Sequence, residues 1–295
     1  MTNTSAAPIR VGFQGELGAF SQVATRQLAG EEAVPVPFPT FQQVFEAVTN
    51  GTCDAAAIPI ENTLHGSIHE NYDHLLKFDL GIRAETFVRI VHNLIAPPGV
   101  KFEDLTRVFS HPVALAQCLH FFDANPQIKR TPYYDTAGSV KMIMEESLKD
   151  AGAIASAAAA PIYGATILKT SIEDDRQNFT RFFLLRPNSA PPEPAPAIGV
   201  KYKTTIVFTV KNVPGALFRS LAALALRDLD MTKIESRPLR GKPWEYLFYL
   251  DFIGSPDEAP ARNALGHLAE MADMLRVLGS YPAAGFQEPG TGPSY

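Results

Sequence analysis

The residues best suited to chemistry stand together in Asp174-Asp175-Arg176-Gln177-Asn178-Phe179-Thr180-Arg181-Phe182-Phe183-Leu184-Leu185. There an apolar, strand-like run opens on a dense polar cluster, so a hydroxyl, an amide and a guanidinium meet at one strand's start. An arginine beside a hydroxyl suits a carboxylate-bearing substrate, because guanidinium and carboxylate match as planar, two-point partners. The competing expectation is an edge strand with a solvated entrance. Ser21, Ser110, Thr136 and Ser139 add hydroxyls where apolar runs give way to helical periods. Free N–H groups and the helix dipole make such helix starts receptive to anions. The same residues are also good N-caps. Several of them on adjacent strand ends would cradle a small polyanion without a basic patch.

Other groupings point to less. Gly12-Phe13-Gln14-Gly15-Glu16-Leu17-Gly18 has the wrong spacing for a dinucleotide loop, and no phosphate-binding G-x-x-x-x-G-K occurs. Those glycines fit the close approach of backbone to a smaller ligand. His65, His69 and His74 fall near one another, but no H-E-x-x-H pattern accompanies them, so a solvated helix face or a capping role competes with a metal site. Ser110-His111 lacks the G-x-S-x-G context of a hydrolase nucleophile. Cys53 and Cys118 lie far apart, outside any CxxC pair, which argues against a thiolate metal site or a disulfide framework.

The elements that must position these groups follow from periodicity. Up to about residue 187, apolar runs alternate with helical periods: Ile9 to Phe13, Ala55 to Ile60, Arg107 to Phe109, Thr131 to Tyr134 and Gly152 to Ala155 each lead into a helix. That alternation predicts an α/β fold with largely parallel sheets and ligands at the carboxyl ends of the strands. Asn188 to Gly199 carries four prolines in twelve residues and reads as a semi-rigid linker. Beyond it the pattern is strand (Thr204 to Lys211), helix (Pro214 to Arg227, with Pro214 at N1), strand (Met231 to Pro238), strand (Trp244 to Phe252), helix (Asp257 to Met274) and strand (Leu275 to Tyr281). This is βαββαβ, a ferredoxin-like arrangement without a cluster of acids or histidines, so it suggests a regulatory or dimerising unit. The tail after Ala284 is rich in Gly and Pro.

The chain has 295 residues, of which 46% are hydrophobic and 19% charged, enough for folded domains with sizeable cores. Its net charge of −5, with no Lys/Arg-rich run, argues against nonspecific grip on nucleic acid or an anionic membrane. No signal peptide is visible in Met1 to Pro8, and the apolar stretch from Ala151 to Leu168 is too short and too alanine-rich to span a bilayer. The expectation from these features is a soluble, cytoplasmic protein.

Seven short motifs in one order carry a resemblance. Gly18-Ala19-Phe20-Ser21, Pro59-Ile60-Glu61-Asn62-Thr63, Ser110-His111-Pro112 with Gln117-Cys118, Asp135-Thr136-Ala137, and Asn178-Phe179-Thr180-Arg181-Phe182 resemble prephenate dehydratase. Gly215-Ala216-Leu217-Phe218 and Glu235-Ser236-Arg237-Pro238 resemble that family's C-terminal ACT domain. The resemblance implies two α/β lobes like a type II periplasmic binding protein, crossed near Arg83 and again near Leu168, with the active site between them over residues 9–187. It implies decarboxylating dehydration of prephenate to phenylpyruvate, without cofactor or metal, in a chain monofunctional with respect to chorismate mutase. Thr180, Glu61, Asn62 and Gln117 would be catalytic. Arg181, Ser110, Thr136, Ser139, Phe20, Ser21 and Asn178 would bind substrate, with arogenate the alternative substrate and the loop at Thr136 to Ser139 the place to tell the two apart. A catalytically silent amino-acid sensor is the alternative from another class. L-Phenylalanine would inhibit by binding Asn212, Gly215, Ala216, Leu217, Phe218, Glu235 and Ser236 at a dimer interface of the ACT domain (residues 203–283), making a homodimer or tetramer.

Overall fold

The computed structural model describes residues 8–191, 199–239 and 245–285. Trp244, Pro192 to Ile198 of the proline-rich linker and most of the tail lie outside these residues. The chain divides into two compact units: the described residues up to Phe78 with Thr86–Leu184, and Asp79–Glu85 with Leu185–Phe286.

Two sheets come first. One takes β1 (Arg10–Gln14), β2 (Val34–Phe38), β3 (Ala55–Asn62), β4 (Gly66–Ser67) and β5 (Leu80–Arg89). The second takes β6 (Asn93–Ala96), β7 (Arg107–Ser110), β8 (Lys129–Pro132), β9 (Ala151–Ala155) and β10 (Thr166–Lys169), in the order β10-β6-β9-β7-β8. The chain then returns as β11 (Phe179–Pro187) and completes the first sheet in the order β2-β1-β3-β11-β5, with β4 hooked onto β3. Helices α1 (Phe20–Ala29), α2 (Phe41–Thr49), α3 (His69–Lys77), α4 (Pro112–Ala116), α5 (Leu119–Asp123), α6 (Thr136–Glu145) and α7 (Ala159–Tyr163) fill the connections. Continuous burial of Ala55 to Ile60 is what a strand covered on both faces by helices requires.

Several expectations change. The β1, β2 and β3 pairings are parallel, as are those of β7 with β8 and β9, but β6 runs antiparallel to both β9 and β10, so the second sheet is mixed. The chain reaches β6 straight from β5, with no crossover helix to turn it round. It leaves the first sheet after Arg89 and joins the second at Asn93, later than the crossing expected near Arg83. The return falls between Lys169 and Phe179, beyond the expected Leu168. β11 is no edge strand: it lies between β3 and β5.

In the second unit β12 (Tyr202–Val210), α8 (Ala216–Ala225), β13 (Met231–Pro238), β14 (Tyr246–Ile253), α9 (Ala259–Met271) and β15 (Ala272–Pro282) give βαββαβ with antiparallel pairing in the order β13-β14-β12-β15. Strand period places Ile206 and Phe208 on the face that packs with Ala223, Leu224, Ala264 and Leu268 of the helices. Pro214 is not the first residue of α8. Gly215 caps it at φ +76°, a left-handed conformation that glycine adopts without strain, and the helix begins at Ala216.

Within this unit Lys203 Nζ donates to Glu85 Oε1 at 2.7 Å, with side chains 10% and 0% exposed, and the Ala284 N–H meets the same oxygen at 3.0 Å. Removing one charge of a buried pair strands the other. Lys203→Met is expected to destabilise the fold by about 3–5 kcal/mol in urea unfolding, while Lys203→Met with Glu85→Leu recovers most of that loss.

Candidate active site

A cavity of about 510 Å³ opens at the carboxyl ends of β1, β3 and β7. From the first sheet it is lined by Gln14, Pro59, Asn62, Thr180 and Phe182, with Phe20 and Ser21 from the first turn of α1 and His65 from the turn after β3. From the second come His111, Val113, Ala114 and Gln117 around α4, and Thr136 opening α6. Ile90 and His92 of the strap between β5 and β6 close it.

Its polar centre is the Asn62 carboxamide. Asn62 Nδ2 donates to Asn178 Oδ1 at 2.8 Å, to the Phe179 carbonyl at 3.1 Å and to Thr180 Oγ1 at 3.0 Å. Asn62 Oδ1 accepts the Leu64 and His65 backbone N–H groups, each at 3.0 Å. Backbone partners at both ends leave the amide one orientation. Thr180 Oγ1 therefore accepts from Asn62, and its own proton, without a protein acceptor among the described residues, is free to enter the cavity.

A second polar chain crosses between the lobes. Gln117 Nε2 lies 3.2 Å from His65 Nδ1, and Gln117 Oε1 lies 2.7 Å from His92 Nε2. Burial lowers the pKa of His92 and, less completely enclosed, that of His111, so both rings are neutral at pH 7. His111 uses Nδ1 to accept the Val113 N–H and caps α4.

No lysine or arginine is among the residues lining this cavity. Anions must be met by N–H dipoles and hydroxyls instead. α1 and α6 point their N-termini at it: Ala19 offers no side-chain cap to α1, and Asp135 caps α6 by accepting the Gly138 N–H at 2.7 Å. Each helix end of this kind favours a carboxylate by about 0.3–1 kcal/mol, more when partly buried.

Residues 11–190 match the family model of prephenate dehydratase. The chain belongs to the prephenate dehydratase family. It is 45% identical over 289 residues to arogenate dehydratase/prephenate dehydratase 2, chloroplastic, of Arabidopsis thaliana, covering 95% of this chain and 74% of that one. A solved prephenate dehydratase from Arthrobacter aurescens, in complex with L-Phe, is 32% identical with a TM-score of 0.83, covering 94% of this chain and 92% of that one. GqqA, described as a novel type of quorum-quenching acylase, is 35% identical with a TM-score of 0.85, over 93% and 98% of the two chains. The expected cytoplasmic location does not stand: the Arabidopsis relatives are chloroplastic.

The prephenate dehydratase motifs divide by orientation. Thr180, Asn62, Gln117, Phe20, Ser21 and Thr136 reach the cavity, and Asn178, fully buried, supports it through Asn62. Arg181 does not. Alternation along β11 sends Thr180 and Phe182 to the cavity and Arg181 to the opposite face, where its guanidinium carbon sits 4.7 Å from the centre of the Phe183 ring. Ser110 is fully buried and donates to the Ile154 carbonyl, and Ser139 donates to the Asp135 carbonyl one turn back. Glu61 neighbours Asn62 on β3 and is not among the lining residues. Nor are the four hydroxyl residues N-caps: Ala19, His111 and Asp135 hold those positions.

At Gly18 the glycine loop serves packing. A Cβ on Gly18, at φ +89°, would sit 2.6 Å from Ala159 Cα of α7. The Gly18 carbonyl accepts from Ser156 Oγ at 2.5 Å, the Leu17 carbonyl from Tyr163 at 2.8 Å, and Glu16 takes Tyr134 at 2.9 Å and Lys141 at 3.2 Å. No three His, Cys, Asp or Glu side chains among the described residues could hold a metal. His65, His92 and Glu173 are the residues that sequence reasoning missed or undervalued. Apart from the contact of His65 with Asn62 three residues back, their partners here lie 25 to 84 residues away, so little local spacing marks them.

In the second unit, Asn212, Gly215, Ala216, Leu217 and Phe218 line a cavity of about 190 Å³ with Lys211, Tyr246 and Phe248. Glu235 and Ser236 are not part of that lining; they sit on β13, opposite Tyr249 and Phe248.

Cys53 and Cys118 are both buried, and desolvation raises both thiol pKa values. A raised pKa keeps the thiol protonated and unreactive. At pH 8 iodoacetamide should label neither cysteine in the folded protein and both in urea, read by mass spectrometry.

Proposed function

We propose that the prephenate dehydratase reaction of this chain runs in the cavity around Thr180, with the Asn62-to-Thr180 hydrogen bond as the feature that carries the reading. In that reaction the bond from ring carbon to carboxylate breaks and its electron pair enters the ring. The ring C–O bond then breaks with its pair on oxygen, which takes up a proton and leaves as water. Carbon dioxide and an aromatic ring result, so the driving force is intrinsic. The protein's task is to orient a dicarboxylate and stabilise charge on the departing oxygen.

Thr180 is a weak acid, and its contribution is a preorganised donor. Asn62 occupies the Thr180 lone pair and so directs the Thr180 O–H outward, toward the leaving oxygen. Gln117 adds a second donor from the facing lobe. The N-termini of α1 and α6, with Ser21 and Thr136, take the two carboxylates in the place first given to Arg181. Phe20 and Phe182 supply apolar walls that exclude water from the ring. Glu61 is retained as a neighbour that holds the Asn62 turn rather than as the acid. Arogenate differs from prephenate in the side chain, not the ring, so the same centre serves it; the relatives' double name supports testing both.

The second unit is an ACT domain in this reading and takes L-phenylalanine. The 190 Å³ cavity supplies Asn212 and the α8 N-terminus for the amino acid's polar ends, and Leu217 and Phe218 for its ring. Glu235 and Ser236 complete the site from a second copy, which makes the enzyme a homo-oligomer. The Arthrobacter relative's L-Phe complex supports this effector. Inhibition requires L-phenylalanine to favour a less active arrangement, with coupling of about 1–3 kcal/mol.

Thr180→Ala is expected to lower kcat by roughly 10²–10³-fold with the fold intact, measured as phenylpyruvate formed from prephenate. Near-normal turnover of that variant would remove Thr180 from the mechanism. Suppression of turnover by L-phenylalanine that disappears in Asn212→Ala, with basal activity kept, is the outcome expected for the effector site.

A further inference from the structure

The buried imidazole of His92 belongs to no motif, yet the geometry around it is restrictive. His92 is 2% exposed. Its Nε2 lies 2.7 Å from Gln117 Oε1, and its Nδ1 is buried without a hydrogen-bond partner. The ring stands edge-on to Phe20 at 5.7 Å and 82°. Its backbone is pinned: the His92 N–H donates to Glu173 Oε2 at 3.0 Å, while Glu173 Oε1 accepts from Arg89 Nη2 at 3.0 Å.

A neutral imidazole has two tautomers here, and they set the Gln117 amide in opposite senses. With the proton on Nε2, His92 donates to Gln117 Oε1, and Gln117 presents its NH2 to the cavity and to His65 Nδ1, which accepts and so makes no hydrogen bond to Asn62 Oδ1 at 3.3 Å. With the proton on Nδ1, Nε2 would have to accept, Gln117 would turn its NH2 toward His92, and a carbonyl would face the cavity. The second arrangement buries an N–H donor with no acceptor. The first leaves only an unused lone pair, and orphaned buried N–H groups are the rarer and costlier case. We propose that His92 is a positioning residue which, as the Nε2-protonated tautomer, selects the NH2 end of the Gln117 carboxamide for the substrate cavity. The site then offers donors to a leaving oxygen or a carboxylate, where a carbonyl would repel either. Burial, which disfavours the imidazolium, keeps His92 in this neutral form. The inference rests on the placement of Gln117 at the active cavity.

The test combines spectroscopy with a double-mutant cycle on the full chain. In 15N-histidine spectra one resonance set should show the Nε2–H tautomer between pH 6 and 8 and vanish in His92→Gln. A Nδ1–H tautomer or an imidazolium at that residue would overturn the proposal. His92→Leu should lower kcat on prephenate by on the order of 10²-fold. His92→Gln, whose amide nitrogen can stand where Nε2 stood, should recover at least tenfold of that. In a Gln117→Ala background His92→Leu should change kcat by less than about twofold, because its effect runs through Gln117. An equal loss in both backgrounds would refute the proposal. Normal turnover of Gln117→Ala would instead remove Gln117 from the reaction, a separate failure. If His92→Leu does not fold, the tautomer and the comparison of His92→Gln with and without Gln117→Ala decide.

Discussion

The candidate active site depends on one carboxamide being fully used. Asn62 donates to Asn178 and to two groups of β11 and accepts from two backbone N–H groups of its own turn. Those bonds span 116 to 118 residues of sequence, so they join segments separated by the whole of β6 to β10. They also demand that β11 insert between β3 and β5, since an edge position would leave its opening residues wet. The Thr180 hydroxyl inherits its direction from this arrangement. A threonine in water would spread its proton over several acceptors; here one lone pair is occupied by Asn62 and the proton is left to the cavity, where the proposed reaction develops its charge.

The strand period governs the electrostatics with equal force. Because Thr180 faces the cavity, Arg181 cannot. The guanidinium goes to the other face of β11 beside Phe183, and the cavity is left without a cation among its lining residues. In the proposed reading, recognition of a dicarboxylate then falls on α1 and α6, whose N–H dipoles are fixed by the helices and cost no reorganisation. A protein of net charge −5 can hold an anionic substrate this way because the field is local, confined to the first turn of each helix.

Such a site needs its two sheets held in register, since donors come from both. The glycine loop supplies that. Gly18 backs onto Ala159 with no room for a side chain, Ser156 and Tyr163 bind its backbone carbonyls, and Glu16 is held by Tyr134 and Lys141. Glycine is present there for contact between the lobes. The close approach expected of the loop is made at Gly18, where its object is Ala159 of α7.

Periodicity and motif order by themselves determined the α/β class, the βαββαβ second unit and the family to which the chain belongs. These are properties of short windows, and short windows carry them. The tertiary structure decided which of the motif residues face the cavity. Ser110 and Ser139 turned inward to satisfy carbonyls, Arg181 was carried to the far face by its neighbour's orientation, and His92 and His65 were joined to Gln117 from 25 and 52 residues away. Sequence assigns residue types to places along a strand or helix start. The side each one presents, and the partner that fixes its protons, depends on which strand lies beside it, and that is settled only when the whole sheet has closed.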